Sequence, residues 1–68
     1  MDRGKQVKWE AYIGKRCVVI QDFPGTIVSE VVVKEVSPSK RLVKFHWVAG
    51  GGDSWEEVKD WLLIECLD

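Results

Sequence analysis

The residues of this chain that could carry out chemistry are few and scattered. The 68-residue sequence has one histidine, His46, and two cysteines, Cys17 and Cys66. Zinc sites usually need four such ligands at short spacing, and nucleophilic catalysis needs a base beside the nucleophile. Glu56 and Glu57 are adjacent on an expected strand, so their carboxylates point to opposite faces and cannot act on one substrate. We therefore predict no catalytic site, no metal and no cofactor.

The two cysteines lie at opposite ends of the chain, and no secretion signal or long apolar run accompanies them. Secreted scaffolds held by disulfides usually carry four or more cysteines. We expect reduced thiols that act as small buried hydrophobic groups. This usage predicts a cytoplasmic protein, or a nuclear one in a eukaryote, without a membrane segment.

The composition is that of one small folded domain. Hydrophobic residues make up 46% of the chain and charged residues 31%, with a formal net charge of −1, which argues against disorder. Residues 1–52 hold nine basic against five acidic side chains, whereas residues 53–68 hold one against six. The nearly neutral total predicts no general attraction to nucleic acid or to an anionic membrane.

The sequence that contains these residues shows the pattern of five short strands. Residues 17–20, 26–36, 41–48, 54–58 and 62–67 are rich in β-branched or apolar residues, and turn residues separate most of them. Apolar residues between 26 and 36 do not alternate strictly, which predicts a bulge or strong bend. Residues 59–61 read as a single helical turn. Strand three alternates clearly, with Val43, Phe45 and Trp47 on one face.

Five antiparallel strands of this length have few stable arrangements. A flat sheet would expose two edges and a face, whereas closure into a barrel removes most of that exposure. We predict that residues 1–12 are a polar lead-in and potential lid, and that residues 13–68 form the barrel. The first strand should pair with the last, which would place Cys17 and Cys66 on neighbouring strands.

The order of these elements resembles the SH3-like barrel, and within it the Tudor and chromo-barrel branch. The resemblance covers residues 13–67. The residues that carry it are Gly14-Lys15-Arg16-Cys17, the segments 27–36 and 43–47, Asp53-Ser54-Trp55-Glu56-Glu57-Val58, and Leu62-Leu63. It implies an all-β, five-stranded antiparallel barrel with one short helical turn before the last strand.

The same resemblance implies a non-catalytic module that binds a peptide or protein, in some members through a methylated lysine or arginine. In such a cage, a desolvated cation gains about 0.5–2 kcal/mol from an aromatic ring face. The residues that could form this aromatic groove and its acidic rim are Phe23, Trp47, Trp55, Asp22, Asp53 and Glu56. Trp55 is the strongest candidate because it follows the Gly50-Gly51-Gly52 loop. For Trp47, a role in core packing is favoured over a role in binding, because it shares a face with Val43 and Phe45.

Two other functions stay open from the residues alone. One is a small structural or assembly protein, of a phage or mobile-element type, that forms a homo-oligomer through apolar surface. The other is a nucleic-acid-binding barrel that uses the basic residues around the second turn, Lys34, Lys40, Arg41 and Lys44. Four charges on a nearly neutral chain make a weak nucleic-acid signature, so we favour the peptide-binding hypothesis.

Overall fold

The computed structural model describes residues 7–21 and 26–67. Within them the fold is all-β, with five antiparallel strands: β1 (Arg16–Gln21), β2 (Ile27–Val36), β3 (Leu42–Trp47), β4 (Asp53–Glu57) and β5 (Leu62–Cys66). A first 3-10 turn (Trp9–Tyr12) precedes β1, and a second (Val58–Asp60) lies between β4 and β5. The predicted strand number, antiparallel class and helical turn before the last strand are confirmed.

The strands form one sheet in the order β4-β3-β2-β1-β5. The predicted pairing of the first strand with the last is confirmed, and Cys17 lies directly opposite Cys66. Hydrogen bonding does not close the described sheet, because β4 and β5 remain its two edges. The predicted closure into a barrel is therefore wrong for the described sheet, because closure requires β4 and β5 to pair with each other and they do not.

The long strand β2 connects the two halves of the sheet. Residues 27–32 pair with β1, and residues 31–36 pair with β3. The register shifts between Val33 and Glu35, which confirms the predicted irregularity and leaves Lys34 as the extra residue. A bulge of this kind bends a strand and increases its twist. One face of both halves can therefore enclose a common core.

The core is built around Phe45. Its ring meets Trp9, Trp47 and Trp61 edge-on, with centroid separations of 5.4, 5.6 and 5.9 Å. Such aromatic pairs contribute roughly 0.5–1.5 kcal/mol each beyond the area that they bury. Buried aliphatic and thiol side chains complete the core: Cys17, Val19, Val31, Val33 and Val43.

Trp9 connects the segment before β1 to this core. Its side chain is only 4% exposed, although it lies in the first 3-10 turn and outside the sheet. Gly14 has a φ of 87°, a conformation that glycine adopts without strain, and its N–H donates to the Val33 carbonyl at 2.7 Å. The turn is thereby held against β2 while Trp9 packs on Phe45.

Candidate functional site

The structure divides the residues of the predicted aromatic groove between two sides of the sheet. Phe23 and Asp22 lie outside the described residues. Of the other four, Trp47 and Glu56 belong to the core-facing side, and Trp55 and Asp53 to the outer side. Strand register causes the division, since Lys44 is paired with Trp55 and the next residue, Phe45, with Ser54. Successive strand residues point to opposite faces.

On the core-facing side, Trp47 and Glu56 belong to a hydrogen-bonded cluster. The Trp47 Nε1–H donates to Ser54 Oγ at 2.7 Å, and that hydroxyl donates to Glu56 Oε2 at 2.8 Å. Trp61 Nε1–H donates to Glu56 Oε1 at 3.3 Å. Both indole donors and both carboxylate oxygens are therefore used within the protein. This geometry suits Trp47 and Glu56 to holding β3, β4 and the segment before β5 together.

On the outer side, Trp55 is the exposed member of the four tryptophans. It is 45% exposed, and the Lys44 ammonium lies over its ring at 6.0 Å from the centroid. Beside it is a shallow groove of about 410 Å³ formed by residues from the β2–β3 turn and the neighbouring strands. The groove is lined by Glu35, Val36, Ser37, Pro38, Leu42 and Trp55.

We call this groove and its lining residues the Trp55 surface. Pro38 and Leu42 were not among the predicted site residues. The signal that could have identified Leu42 is its parity in β3, because it shares the outer face with Lys44, the register partner of Trp55. Pro38 lies in the turn, where no alternation of residues indicates which face of the sheet a side chain occupies.

Asp53 and His46 form a polar pair at the end of the β3–β4 hairpin where the loop joins the two strands. They are register partners, and Asp53 Oδ1 lies 2.6 Å from His46 Nδ1. A carboxylate can only accept a hydrogen bond, so the histidine nitrogen is the donor. This bond lowers the pKa of Asp53 below its ordinary 3.8. The Asp53 carboxylate is therefore engaged by His46, a partner that the sequence interpretation did not assign to it.

The basic residues of the nucleic-acid hypothesis form two groups, each with acidic neighbours. Lys34 and Lys44 both act electrostatically on Asp53. Lys40 is ion-paired with Glu10 and lowers the pKa of that carboxyl below 4.5 through their hydrogen bond. Arg41 and Lys40 line a groove of about 530 Å³ that also includes Glu57 and Lys59. The arrangement mixes both charge signs and does not present one basic face.

Within residues 7–21 and 26–67, no three His, Cys, Asp or Glu side chains are grouped so that they could hold a metal ion. In the same part of the chain, no helix has the length and apolar character needed to cross a bilayer.

Comparison of the chain with protein-family models, curated proteins and solved structures finds no match.

Proposed function

We propose that this chain is a non-catalytic binding module of the SH3-like, Tudor-type class that holds a peptide or protein partner against the Trp55 surface. The observation that carries the proposal is the contrast among the four tryptophans. Trp9, Trp47 and Trp61 surround Phe45 in the core, whereas Trp55 is exposed beside a groove. Exposed tryptophan next to a concave apolar surface is a frequent energetic centre of protein interfaces.

The strand order supports the same class. The open arrangement β4-β3-β2-β1-β5, with a long bulged β2 shared by both halves, is compatible with the element order on which the resemblance was based. Tudor-type domains bind ligands without performing a reaction on them. The proposal therefore assigns binding, and not turnover, to the Trp55 surface.

The position of Trp55 on an edge strand indicates how a partner could bind. β4 pairs only with β3 in the described sheet, so its other side presents backbone donors and acceptors. An extended peptide can add to such an edge, and alternate side chains then select the sequence. An apolar side chain of that peptide would fill the groove between Trp55 and Leu42.

Apolar contact, rather than a complete aromatic cage, is the recognition that this surface favours. Trp47 and Trp55 point to opposite sides of the hairpin, so these two rings do not enclose a common cation. Lys44 already lies over Trp55. A methylated lysine is therefore one ligand to test, and an unmodified peptide with an apolar anchor is the expected one.

The test is selection of random linear peptides on the immobilised wild-type protein. Peptides that bind are measured by fluorescence anisotropy against the wild type, Trp55→Ala and a matched control. Val28→Ala is that control because Val28 is also exposed, at 56%, and lies on a different strand. We expect the dissociation constant to rise at least tenfold for Trp55→Ala, or about 1.4 kcal/mol, and to stay unchanged for Val28→Ala.

Failure of selection to yield any peptide, or equal binding by Trp55→Ala, would contradict the proposal. A lysine peptide prepared unmethylated and trimethylated is measured in parallel. Tighter binding of the trimethylated form that depends on Trp55 would replace apolar anchoring with cation recognition at the same surface.

A second candidate, self-association, is favoured by a separate observation. Val28, Ile20 and Leu62 are register partners across β2, β1 and β5, on the opposite face from buried Val19. They form an aliphatic row on the outer side of the sheet. Ile64, on the edge strand β5, is 52% exposed. Apolar surface of this kind can mark an interface between copies.

Sedimentation velocity across a range of protein concentrations separates the two candidates. A mass above one chain that returns to one chain in Val28→Asp would support assembly through the aliphatic row. A single-chain mass at all concentrations would leave peptide binding as the function. DNA or RNA binding that weakens steeply with salt would instead favour the basic residues.

A further inference from the structure

We propose that Cys17 and Cys66 form an oxidation site, in which an intrachain disulfide joins the edge strand β5 to the interior of the sheet. The two residues are thiols in this structure and are paired directly across the antiparallel β1–β5 ladder. The proposal is independent of the Trp55 surface, because none of the residues that line that surface belongs to β1 or β5.

The hydrogen-bond pattern identifies the type of pair that the cysteines occupy. The Leu67 N–H donates to the Arg16 carbonyl at 2.7 Å, so residues 16 and 67 are the hydrogen-bonded pair of the ladder. Such pairs alternate with non-hydrogen-bonded ones along an antiparallel ladder. Cys17 and Cys66 therefore form a non-hydrogen-bonded pair, whose Cα atoms are about 4.5 Å apart and whose side chains lie closest.

This spacing suits a disulfide. Bridged cysteines usually have Cα atoms about 4.4–6.8 Å apart, and the expected separation falls within that range. Directly opposite residues point to the same face of a sheet. Cys17 is fully buried and Cys66, partly buried, packs against the core that contains it, so both side chains extend toward the same interior.

The difference in exposure between the Cys17 and Cys66 thiols determines which of them reacts first. Cys66 is partly exposed, so a small disulfide such as oxidised glutathione can reach it first. The Cys66 thiolate attacks one sulfur, forms a mixed disulfide and releases one glutathione thiolate. The Cys17 thiolate then attacks Cys66 Sγ and releases the second. Two protein thiols are oxidised to one disulfide, and oxidised glutathione is reduced to two molecules of the thiol.

The bond would act on one of the two edge strands of the sheet, next to the core. In the described sheet β5 pairs with β1 alone, yet it follows buried Trp61 and carries Leu63, which packs on the core. The loop that the disulfide closes contains β2, β3 and β4. Because closing a long loop restricts the unfolded chain strongly, oxidation should stabilise the fold and hold β5 to β1.

The experiment incubates the reduced protein in glutathione buffers of increasing oxidised fraction. It maps disulfides by non-reducing peptide mass spectrometry and measures the melting temperature. We expect a Cys17–Cys66 bond within one chain and a melting temperature about 10 °C or more above that of the reduced protein. Cys66→Ser should acquire no intrachain bond and should melt at the same temperature in all buffers.

Cys17 is fully buried, so Cys17→Ser could fail to fold; Cys17→Ala serves as the second variant and should stop at the glutathione adduct on Cys66. The proposal is overturned if the wild type keeps both thiols in the most oxidising buffer. It is equally overturned if wild type stops at the adduct, if bonds form only between chains, or if the intrachain bond lowers the melting temperature.

Discussion

Trp47 and Trp55 lie on neighbouring strands of one hairpin but project from its opposite faces. Trp47 packs on Phe45, with 5.6 Å between the ring centroids, and its indole N–H donates a hydrogen bond to Ser54 Oγ. Trp55 is 45% exposed under the Lys44 ammonium. We therefore expect the two side chains to have different roles, with Trp47 stabilising the fold and Trp55 accessible at the surface.

The first prediction separates these roles by stability. Trp47→Ala should lower the free energy of unfolding by about 3 kcal/mol, because it leaves a cavity beside Phe45 and an unfilled hydrogen-bond acceptor. Trp55→Ala should lower it by about 1 kcal/mol or less, since the ring is already half in water. Urea denaturation of both variants measures the difference. A cost for Trp55→Ala equal to that for Trp47→Ala would show that Trp55 is structural.

The second prediction concerns the Glu56 carboxylate, which accepts hydrogen bonds from the Trp61 indole and from the Ser54 hydroxyl. Glu56→Ala should lower the free energy of unfolding by about 2 kcal/mol, because Trp61 and Ser54 both lose their acceptor. Glu57→Ala is the matched control. Glu57 is the exposed neighbour whose pairing with Lys59 at 3.4 Å lies at the surface, and its loss should cost about 0.5 kcal/mol or less. Equal effects in urea denaturation would argue against the cluster.

The third prediction is a titration. The hydrogen bond from His46 stabilises the ionised form of Asp53 and holds its pKa below 3.8. A lowered carboxyl pKa contributes stability that is fully present above 3.8 and lost as the pH falls through the folded-state value. Carbon-detected NMR should give an Asp53 pKa below 3.8 in the wild type. In His46→Phe that pKa should rise toward the ordinary value, and an unchanged pKa would exclude His46 as the cause.

The fourth prediction tests a strained turn. Lys40 has a φ of 66°, in the left-handed region that glycine tolerates and other residues occupy at a cost of about 1 kcal/mol. Lys40→Gly and Lys40→Ala both remove the ion pair with Glu10, but only glycine relieves the backbone. The glycine variant should therefore be about 1 kcal/mol more stable than the alanine variant. Thermal denaturation gives the comparison, and equal stabilities would show that the turn relaxes.

Much of the fold could be predicted because its signals are local. The β-branched segments, the turn residues and the parity of Val43, Phe45 and Trp47 identified the strands and the core face of β3. The failed alternation in β2 reflected a real change of register between Val33 and Glu35. The second 3-10 turn, Val58–Asp60, begins one residue before the predicted turn at 59–61, since short turns have weak boundary signals.

The candidate site was less predictable because it depends on pairs of strands. The sequence places aromatic and acidic residues near one another along the chain, but face and partner follow from register. That is why Trp47 and Glu56 were grouped with Trp55 and Asp53, and why the Asp53–His46 pair was not foreseen.

The sequence by itself determined that this is a small all-β domain of five strands with a dense aromatic core. Hydrophobic periodicity and turn chemistry act over a few residues, so they can be read along the chain. Only the tertiary structure decided that Trp55 faces outward beside Pro38 and Leu42, and that Cys17 and Cys66 form a non-hydrogen-bonded pair. Both facts depend on the register between strands, where a shift of one residue sends every side chain to the other face.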